Sequence, residues 1–201
     1  MPTGVAIQDA REQLFAAAER ILLRAGPDGL TSRAVTAEAG CAKGVLHRHF
    51  ADFDTFLAEL VLDRTARLDD QAAILREAAA AGTGTVAGNV ADALTQVFGP
   101  VGVAIVALTI SRDGLRARLR EAVPTGIPLL NPATTMIANY LAAERERGRI
   151  APEADLETLA PTLIGATHLL FADRQAPRPE VEAVERTVGA VLAGVFQRTS
   201  G

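Results

Sequence analysis

The amino-acid sequence predicts an all-α protein with a three-helix head at its N-terminus, which contains a helix-turn-helix, and a larger C-terminal helical domain. Apolar residues recur at helical spacing along most of the 201 residues. Glycine and proline breakers divide the chain into segments, and no alternating strand pattern is found. We expect the head to occupy residues 7–52 and the second domain residues 53–201.

The first predicted helix runs from Ile7 to Ala25. Its apolar residues, among them Leu14 and Ile21, fall on one helical face. The sequence Gly-Pro-Asp-Gly at 26–29 ends this helix. Beyond the head, Asp52 can cap a longer helix that reaches the breaker at 82–84.

Residues 30–50 read as two short helices joined by a tight turn. Thr31 is a good N-cap for a helix over Arg33–Ala39, and Gly40 provides the left-handed residue with which such a helix ends. A second helix is predicted over Ala42–Phe50. This is the arrangement by which a helix-turn-helix presents a recognition helix to the major groove of DNA.

The basic charge of the chain is concentrated on this motif. Arg33, Lys43 and Arg48 against Glu38 give residues 31–50 a net charge of +2, whereas the whole chain has a net charge of −4. We expect Lys43 and Arg48 to contact base edges, because forked or bidentate donors to guanine are the commonest specific contact. The residues expected on the DNA face are Thr31, Arg33, Lys43, His47, Arg48 and His49.

Several segments of the first 65 or so residues form a recognisable set: 11–18, 26–31, Glu38-Ala39-Gly40, Gly44-Val45-Leu46, and 49–52 with Phe56-Leu57 behind them. In this order and spacing they resemble the tetracycline-repressor (TetR) family of bacterial transcription regulators. The resemblance implies a homodimer that binds palindromic double-stranded operator DNA, with repression as the default. It also implies release by a small-molecule effector of unknown identity, in a ligand-binding and dimerisation domain over 53–201.

The chain departs from the family pattern at Thr36, Ala42, His47 and Phe53. Family members commonly have donors to DNA phosphates at the last three positions. Ala42 and Phe53 have no side-chain donor, and His47 donates fully only when it is protonated. These departures motivate an alternative function, a helical small-molecule-binding protein with weakened or lost DNA binding.

The last two predicted helices, Asp155–Arg174 and Glu180–Arg198, have apolar residues at alternating steps of three and four, which is the seam of a helix–helix packing. Pro161 predicts a kink or a late start in the first of them. Both seams could pack within one subunit, but each helix has further apolar residues, so we favour a four-helix dimer interface. The expected interface residues are Leu163, Ala166, Leu170, Val184, Val188, Val191 and Val195.

The middle helices are apolar with scattered polar groups, as small-molecule sites usually are. The candidate pocket residues are Gln96, Thr109, Met136, Asn139, Tyr140 and His168. Each has a plain structural alternative: Met136 as core filler, His168 as a satisfied core histidine and Tyr140 as a packed ring with its hydroxyl at the rim.

An enzyme is the least favoured class. The chain has three histidines, and two of them, His47 and His49, lie two residues apart on a helix and diverge. We expect no catalytic residues, no metal and no cofactor. Cys41 is the only cysteine, which excludes an intrachain disulfide.

The N-terminus has no signal-peptide pattern, and the longest apolar run, Val101–Ile110, is far short of the ~20 residues of a membrane span. We therefore expect a cytoplasmic protein without a membrane partner.

Overall fold

The computed structural model describes residues 4–173 and 177–196, and its regular elements over that range are helices, which confirms the predicted fold class. The chain forms two compact units. The first unit comprises the chain up to Arg64 together with Pro100–Pro128, and the second comprises Thr65–Gly99 and the chain from Leu129 onward. The division proposed between residues 52 and 53 stays a prediction.

The first unit contains the predicted three-helix head and two helices from later in the chain. An aromatic cluster lies at its centre, where the ring of Phe15 is 5.9 Å from that of Phe50 and 5.6 Å from that of Phe56. The helices are α1 (Gly4–Ala25), a 3-10 turn (Pro27–Gly29), α2 (Ser32–Glu38), α3 (Gly44–His49), α4 (Phe53–Ala66), α7 (Pro100–Ser111) and α8 (Asp113–Ala122). Helix α1 packs against α2 and α7.

Helix boundaries in the head follow the predicted caps. Asp52 is the N-terminal cap of α4, because its Oδ1 accepts a hydrogen bond from Thr55 N (2.7 Å). The recognition helix α3 is shorter than the predicted range 42–50, since it begins at Gly44 and ends at His49. The single long fourth helix that we predicted is wrong: it is interrupted at Arg67, where the sequence offers neither glycine nor proline as a signal.

The helices of the second unit are α5 (Leu68–Ala81), α6 (Val86–Val97), α9 (Leu130–Glu146), α10 (Leu156–Phe171) and α11 (Val181–Leu192). They pack pairwise, α9 with α5 and α10, and α11 with α6 and α10. Thr85 and Asp155 cap α6 and α10 by accepting hydrogen bonds from Gly88 N and Thr158 N. Helix α10 contains Pro161 but does not start late.

A polar network joins α6, α9 and the turn after α9. Asn89 Nδ2 donates to the Tyr140 hydroxyl (2.8 Å), and burial raises the pKa of Tyr140 to about 12. The fully buried carboxylate of Glu144 accepts two hydrogen bonds from Arg149, each of 2.5 Å. Arg149 Nη1 also donates to Gly84 O (3.0 Å), which ties two loops of the second unit together.

The end of α11 differs from the prediction. The helix stops at Leu192, and the chain then turns back so that Val195 O accepts a hydrogen bond from Ala151 N (2.8 Å). Ile150 and Phe196 form an isolated antiparallel bridge beside it. The predicted helix ends at Arg174 and Arg198 lie outside the described residues.

Among the described residues, no single helix has both the length and the apolar character needed to cross a membrane. Helices α6 and α7, which are bent relative to each other, meet the length and composition requirement for a membrane span only when the two are counted as one segment.

Candidate nucleic-acid interface

The turn between α2 and α3 is fixed by backbone geometry and capping bonds. Thr31 Oγ1 accepts a hydrogen bond from Ala34 N (3.2 Å), so Thr31 is the N-cap of α2, as predicted. Gly40 has a φ of 66°, in the left-handed region that favours glycine. Cys41 N then donates to Thr36 O (3.0 Å), which closes the C-terminal end of α2.

Buried side chains anchor the inner faces of both short helices. Val35 on α2 and Leu46 on α3 are fully buried, and Phe50 at the end of α3 is 2% exposed. The Phe50 ring meets the Phe56 ring edge-on, with centroids 5.0 Å apart. Because the apolar positions face the core of the first unit, the opposite faces of α2 and α3 remain in solvent.

On the outer side, α2 and α3 together form an open recess of about 450 Å³. Three residues predicted for the DNA face, Arg33, Lys43 and His47, line it, and all three are exposed. Arg48 is also exposed but does not line the recess. The other lining residues, which the sequence analysis did not assign to DNA, are Ser32, Thr36 and Gly44.

The two remaining predicted residues lie at the margins. The Thr31 hydroxyl is exposed but is already used as the helix cap. His49 is half-buried, with its ring 6.4 Å from that of Phe50. Three of the six predicted residues therefore share one recess, and three do not.

The charged groups of the first unit fall into two classes. Most of its arginines are paired with acids or backbone carbonyls; these are Arg11, Arg20, Arg24, Arg64, Arg112, Arg116 and Arg118. Arg33, Lys43 and Arg48 make no ion pair or hydrogen bond with any residue that the structure describes. Three of the four cations without an internal partner in the described part of the first unit therefore lie on α2 and α3, and the fourth, Arg120, lies on α8.

The single acid of this segment points elsewhere. Glu38 accepts hydrogen bonds from Arg20 Nε (2.8 Å) and Arg24 Nη2 (2.9 Å) on α1. These bonds lower the pKa of Glu38 below its ordinary value and keep it ionised. The negative charge of Glu38 is therefore neutralised by arginines of α1 and does not neutralise the basic residues of the outer face.

Two arginines from α8 and its N-cap contact the segments on either side of the helix-turn-helix. Arg112 Nη2 donates to Leu30 O (2.7 Å), and its guanidinium lies 5.6 Å from the centre of the Phe53 ring. Arg118 Nη2 donates to the Asp52 carboxylate (2.8 Å). Sequence reasoning missed both, because the partners are more than sixty residues apart and no local pattern marks them.

The candidate ligand residues are distributed over both units. Thr109 belongs to the first unit, where its hydroxyl donates to Ile105 O (2.9 Å). In the second unit, Gln96 and Asn139 are exposed, whereas Met136 is buried.

Tyr140 and His168, the other two candidates, are placed by aromatic and polar contacts. The Tyr140 hydroxyl is occupied by Asn89. The His168 ring lies 5.3 Å from that of Phe98, and burial lowers the pKa of His168.

Thr167, which the sequence analysis did not single out, has an unusual environment. It is fully buried on α10, and its Oγ1 has no hydrogen-bond partner. Threonines elsewhere in these helices donate to the carbonyl four residues earlier, as Thr162 does to Thr158 O (2.7 Å) and Thr187 to Ala183 O (2.9 Å). An unpaired buried hydroxyl calls for an explanation, because most such groups are satisfied.

The predicted dimer residues separate into two groups by burial. Leu163, Val184 and Val188 are fully buried within the single chain, so they already have their packing partners there. Val195 lies beyond the end of α11. Half-buried side chains that retain accessible surface on the helices are those of Ala166, Leu170 and Val191.

Residues 14–60 match the family model of bacterial regulatory proteins of the tetR family. The chain has a TetR-family N-terminal region. This match confirms the resemblance inferred from the sequence and covers α2, the Gly40 turn and α3. No curated protein matches the chain.

Solved structures that contain the TetR-type helical plan are similar over nearly the whole chain. A protein of Mesorhizobium loti assigned to the TetR-family transcriptional regulators has a TM-score of 0.67 and 19% identity, covering 95% of this chain and 98% of that one. A gamma-butyrolactone receptor described as ArpA-like has a TM-score of 0.66 and 19% identity, covering 96% of this chain and 91% of that one. FadR from Bacillus subtilis, in complex with stearoyl-CoA, has a TM-score of 0.67 and 16% identity, covering 92% of this chain and 99% of that one. At these identities the likeness shows a shared fold.

Proposed function

We propose that this chain is a ligand-responsive transcriptional regulator that binds operator DNA through α2 and α3 and acts as a repressor. The observation that supports this function is the outer face of the two helices. Its basic residues Arg33, Lys43 and Arg48 have no internal partner, whereas the one acid nearby, Glu38, is compensated by α1. Three cations on one face without a neighbouring uncompensated acid attract anions, although the whole chain has a net charge of −4.

The arrangement suits double-stranded DNA. Arg33 and His47 border the recess beside the N-terminus of α3, and we assign them to phosphate oxygens, contacts that position a protein on the duplex. Lys43 and Arg48 extend from the start and the last turn of α3, and we assign them to base edges in the major groove. Gly44, at the start of α3, lacks a side chain that would keep the backbone away from DNA.

The test is binding of the full chain to the DNA upstream of its own gene, measured by fluorescence anisotropy over a salt series. Arg33→Ala should weaken binding on all sequences and lower the magnitude of the salt slope by about 1, whereas Arg48→Ala should relax base specificity and cost about tenfold or more. Arg76→Ala, which removes an exposed arginine from α5, is the matched control and should leave binding unchanged. Failure of the unchanged chain to bind at low salt would favour the alternative, a small-molecule binder with lost DNA binding.

We further propose that the effector is a small, mainly apolar molecule bound in the second unit. The unpaired hydroxyl of Thr167 supports this, since a polar atom of a ligand would satisfy it. Of the candidates in the second unit, Gln96 and Asn139 are exposed. The buried Tyr140 already has Asn89 on its hydroxyl, so the buried Met136 and the half-buried His168 remain. The gamma-butyrolactone receptor and the stearoyl-CoA complex of FadR share the fold, and the acyl chain of stearoyl-CoA is an apolar group of the kind proposed here.

Thermal-shift titrations with an alkyl gamma-butyrolactone and with stearoyl-CoA test this effector class. A ligand at about 100 times its Kd should stabilise the chain by about 2.7 kcal/mol. Thr167→Val should reduce that shift, and Thr162→Val, on the exposed side of the same helix, should not. Binding of neither compound, or equal binding by both variants, would count against this assignment.

For the assembly we propose a homodimer through the outward faces of α10 and α11, which would present two recognition helices to half-sites about 34–36 Å apart on a palindromic operator. Leu169 on α10 and Val181 on α11 are exposed apolar side chains, 75% and 50% accessible, and the same two helices contain the half-buried Ala166, Leu170 and Val191. Leu169→Glu should shift the chain toward monomer in sedimentation equilibrium. Ile74→Glu, at an exposed isoleucine of α5, is the control. An unchanged chain that is strictly monomeric would refute the dimer.

A further inference from the structure

A small pocket in the first unit lies between the C-terminal end of α7, α8 and the loop that follows α8. Its volume is about 80 Å³. Its walls are mainly apolar, with the side chains of Ile110, Leu119, Val123 and Ile127 contributing. Ile110 and Ile127 are 56% and 40% exposed, so the pocket is open to solvent on that side.

Two arginines of α8, four residues apart and therefore on one helical face, complete the pocket. Arg116 already has internal partners, because it pairs with Asp113 and donates to Ile110 O. Arg120 is exposed and makes no ion pair or hydrogen bond within the part of the chain that the structure describes. Glu121, the adjacent acid, lies 3.6 Å from Arg118.

The size of the pocket limits what can occupy it. A dry cavity of about 150 Å³ accommodates the six carbons of benzene, so by proportion a volume near 80 Å³ takes about three or four carbon atoms. The apolar walls favour an alkyl chain, and the free guanidinium of Arg120 at the rim favours an anion. A carboxylate matches the fork of a guanidinium with two parallel hydrogen bonds.

We propose that this pocket binds a short-chain carboxylate of about four carbons, with its alkyl chain between Leu119 and Val123 and its carboxylate on Arg120. The site belongs to the first unit and is separate from the effector site proposed for the second unit. Binding here does not depend on any DNA function.

A consequence for regulation follows from the other side of α8, and it rests on the proposed function. The helix that forms the pocket wall also contains Arg118, which holds the N-cap carboxylate of Asp52 directly after the helix-turn-helix. A ligand that shifts α8 changes the support of that segment. It alters DNA affinity only to the extent that it binds the two arrangements with different affinity.

The binding test uses the full chain and isothermal titration calorimetry with sodium butyrate, with sodium chloride at equal ionic strength as the blank. We expect saturable binding in the millimolar range, since a six-atom ligand has few contacts. Affinity should rise by about fourfold for each methylene from acetate to butyrate and then level off at hexanoate, when the pocket is full. Butanol, which lacks the charge, should bind about tenfold more weakly.

Matched variants separate this site from general charge effects. Arg120→Gln should weaken butyrate binding about tenfold, while Arg76→Gln on α5 should leave it unchanged. Because both arginines are exposed, both variants should keep the circular dichroism spectrum of the unchanged chain. No saturable heat at about 100 mM butyrate, or equal affinity in the Arg120→Gln variant, would overturn the proposal. DNA binding measured separately decides the regulatory consequence, so failure of the operator assay leaves this result intact.

Discussion

Thr167 and Thr109 are two buried threonines that differ in whether the hydroxyl has a hydrogen-bond partner, so the same Thr→Val substitution can be compared at both. Both side chains are almost fully buried in helices, at 0% and 3% exposure. The Thr109 hydroxyl donates to Ile105 O at 2.9 Å, whereas the Thr167 hydroxyl has no partner. Valine has nearly the same shape as threonine, so Thr→Val changes the polar atom and little else.

The changes in the free energy of unfolding caused by Thr167→Val and by Thr109→Val should therefore differ in a predictable direction. An unsatisfied buried hydroxyl costs about 1–3 kcal/mol, so Thr167→Val should raise the free energy of unfolding by about 1 kcal/mol or more. Thr109→Val removes a satisfied hydrogen bond worth about 0.5–1.5 kcal/mol and replaces the hydroxyl by a methyl group, so its net effect should be small or destabilising. The substitution at Thr167 should come out more favourable by at least about 1 kcal/mol.

Urea unfolding of the ligand-free full chain, at one fixed protein concentration because a dimer would shift the midpoint, measures both values. If Thr167→Val is as destabilising as Thr109→Val, the hydroxyl is satisfied in the ligand-free protein. The argument for a ligand atom at Thr167 then fails, whatever the effector assay shows.

Three further substitutions test other parts of the structure. Arg149→Met removes the arginine partner of the fully buried Glu144 carboxylate and should lower the free energy of unfolding by about 3 kcal/mol in chemical unfolding. This is the low end for a broken buried pair, because Arg149 is 28% exposed. A cost below about 1 kcal/mol would show that water replaces the arginine. Because the pKa of His168 is lowered in the folded chain, the unfolded chain binds more protons near the ordinary pKa. The free energy of unfolding should therefore fall as the pH drops below about 6.5. His168→Phe should flatten that fall, and an unchanged pH profile would contradict the assignment. Gly40→Ala should lower the free energy of unfolding by about 1 kcal/mol through the positive φ alone, since no atom lies within 4 Å of the new Cβ. Gly44→Ala is the control: its new Cβ is equally free of contacts, but its φ is not positive, so it should not lower stability in this way.

The helix-turn-helix was predictable because its determinants are local. The cap at Thr31, the left-handed Gly40 and the buried positions Val35 and Leu46 each follow from a few adjacent residues, and the structure has all of them. The length of α3 was overestimated because a short helix between a turn and an extended Phe50 has no strong stop signal of its own.

The predicted dimer seam shows what a periodic pattern leaves open. Apolar residues at steps of three and four indicate a packed face but not which partner covers it. Val184 and Val188 are covered by the same chain, and Leu169, one position away from a predicted interface residue, has the largest exposed apolar surface in that region. Distinguishing these faces needs the positions of neighbouring helices, which depend on contacts between residues far apart in sequence.

Long-range polar contacts escaped the sequence analysis for the same reason, and they give the clearest physical account of the DNA face. The composition of residues 31–50 gives only a net charge of +2. What makes that charge available is that nearby acids are paired with other cations of the first unit: Glu38 with Arg20 and Arg24, and Asp52 with Arg118. If those acids were instead free to reach Arg33 and Lys43, an internal ion pair would compete with phosphate for each cation. Pairing the acids with cations of α1 and α8 removes that competition without changing the net charge. Which cations the acids pair with, more than the number of basic residues, therefore makes the head suited to bind a polyanion.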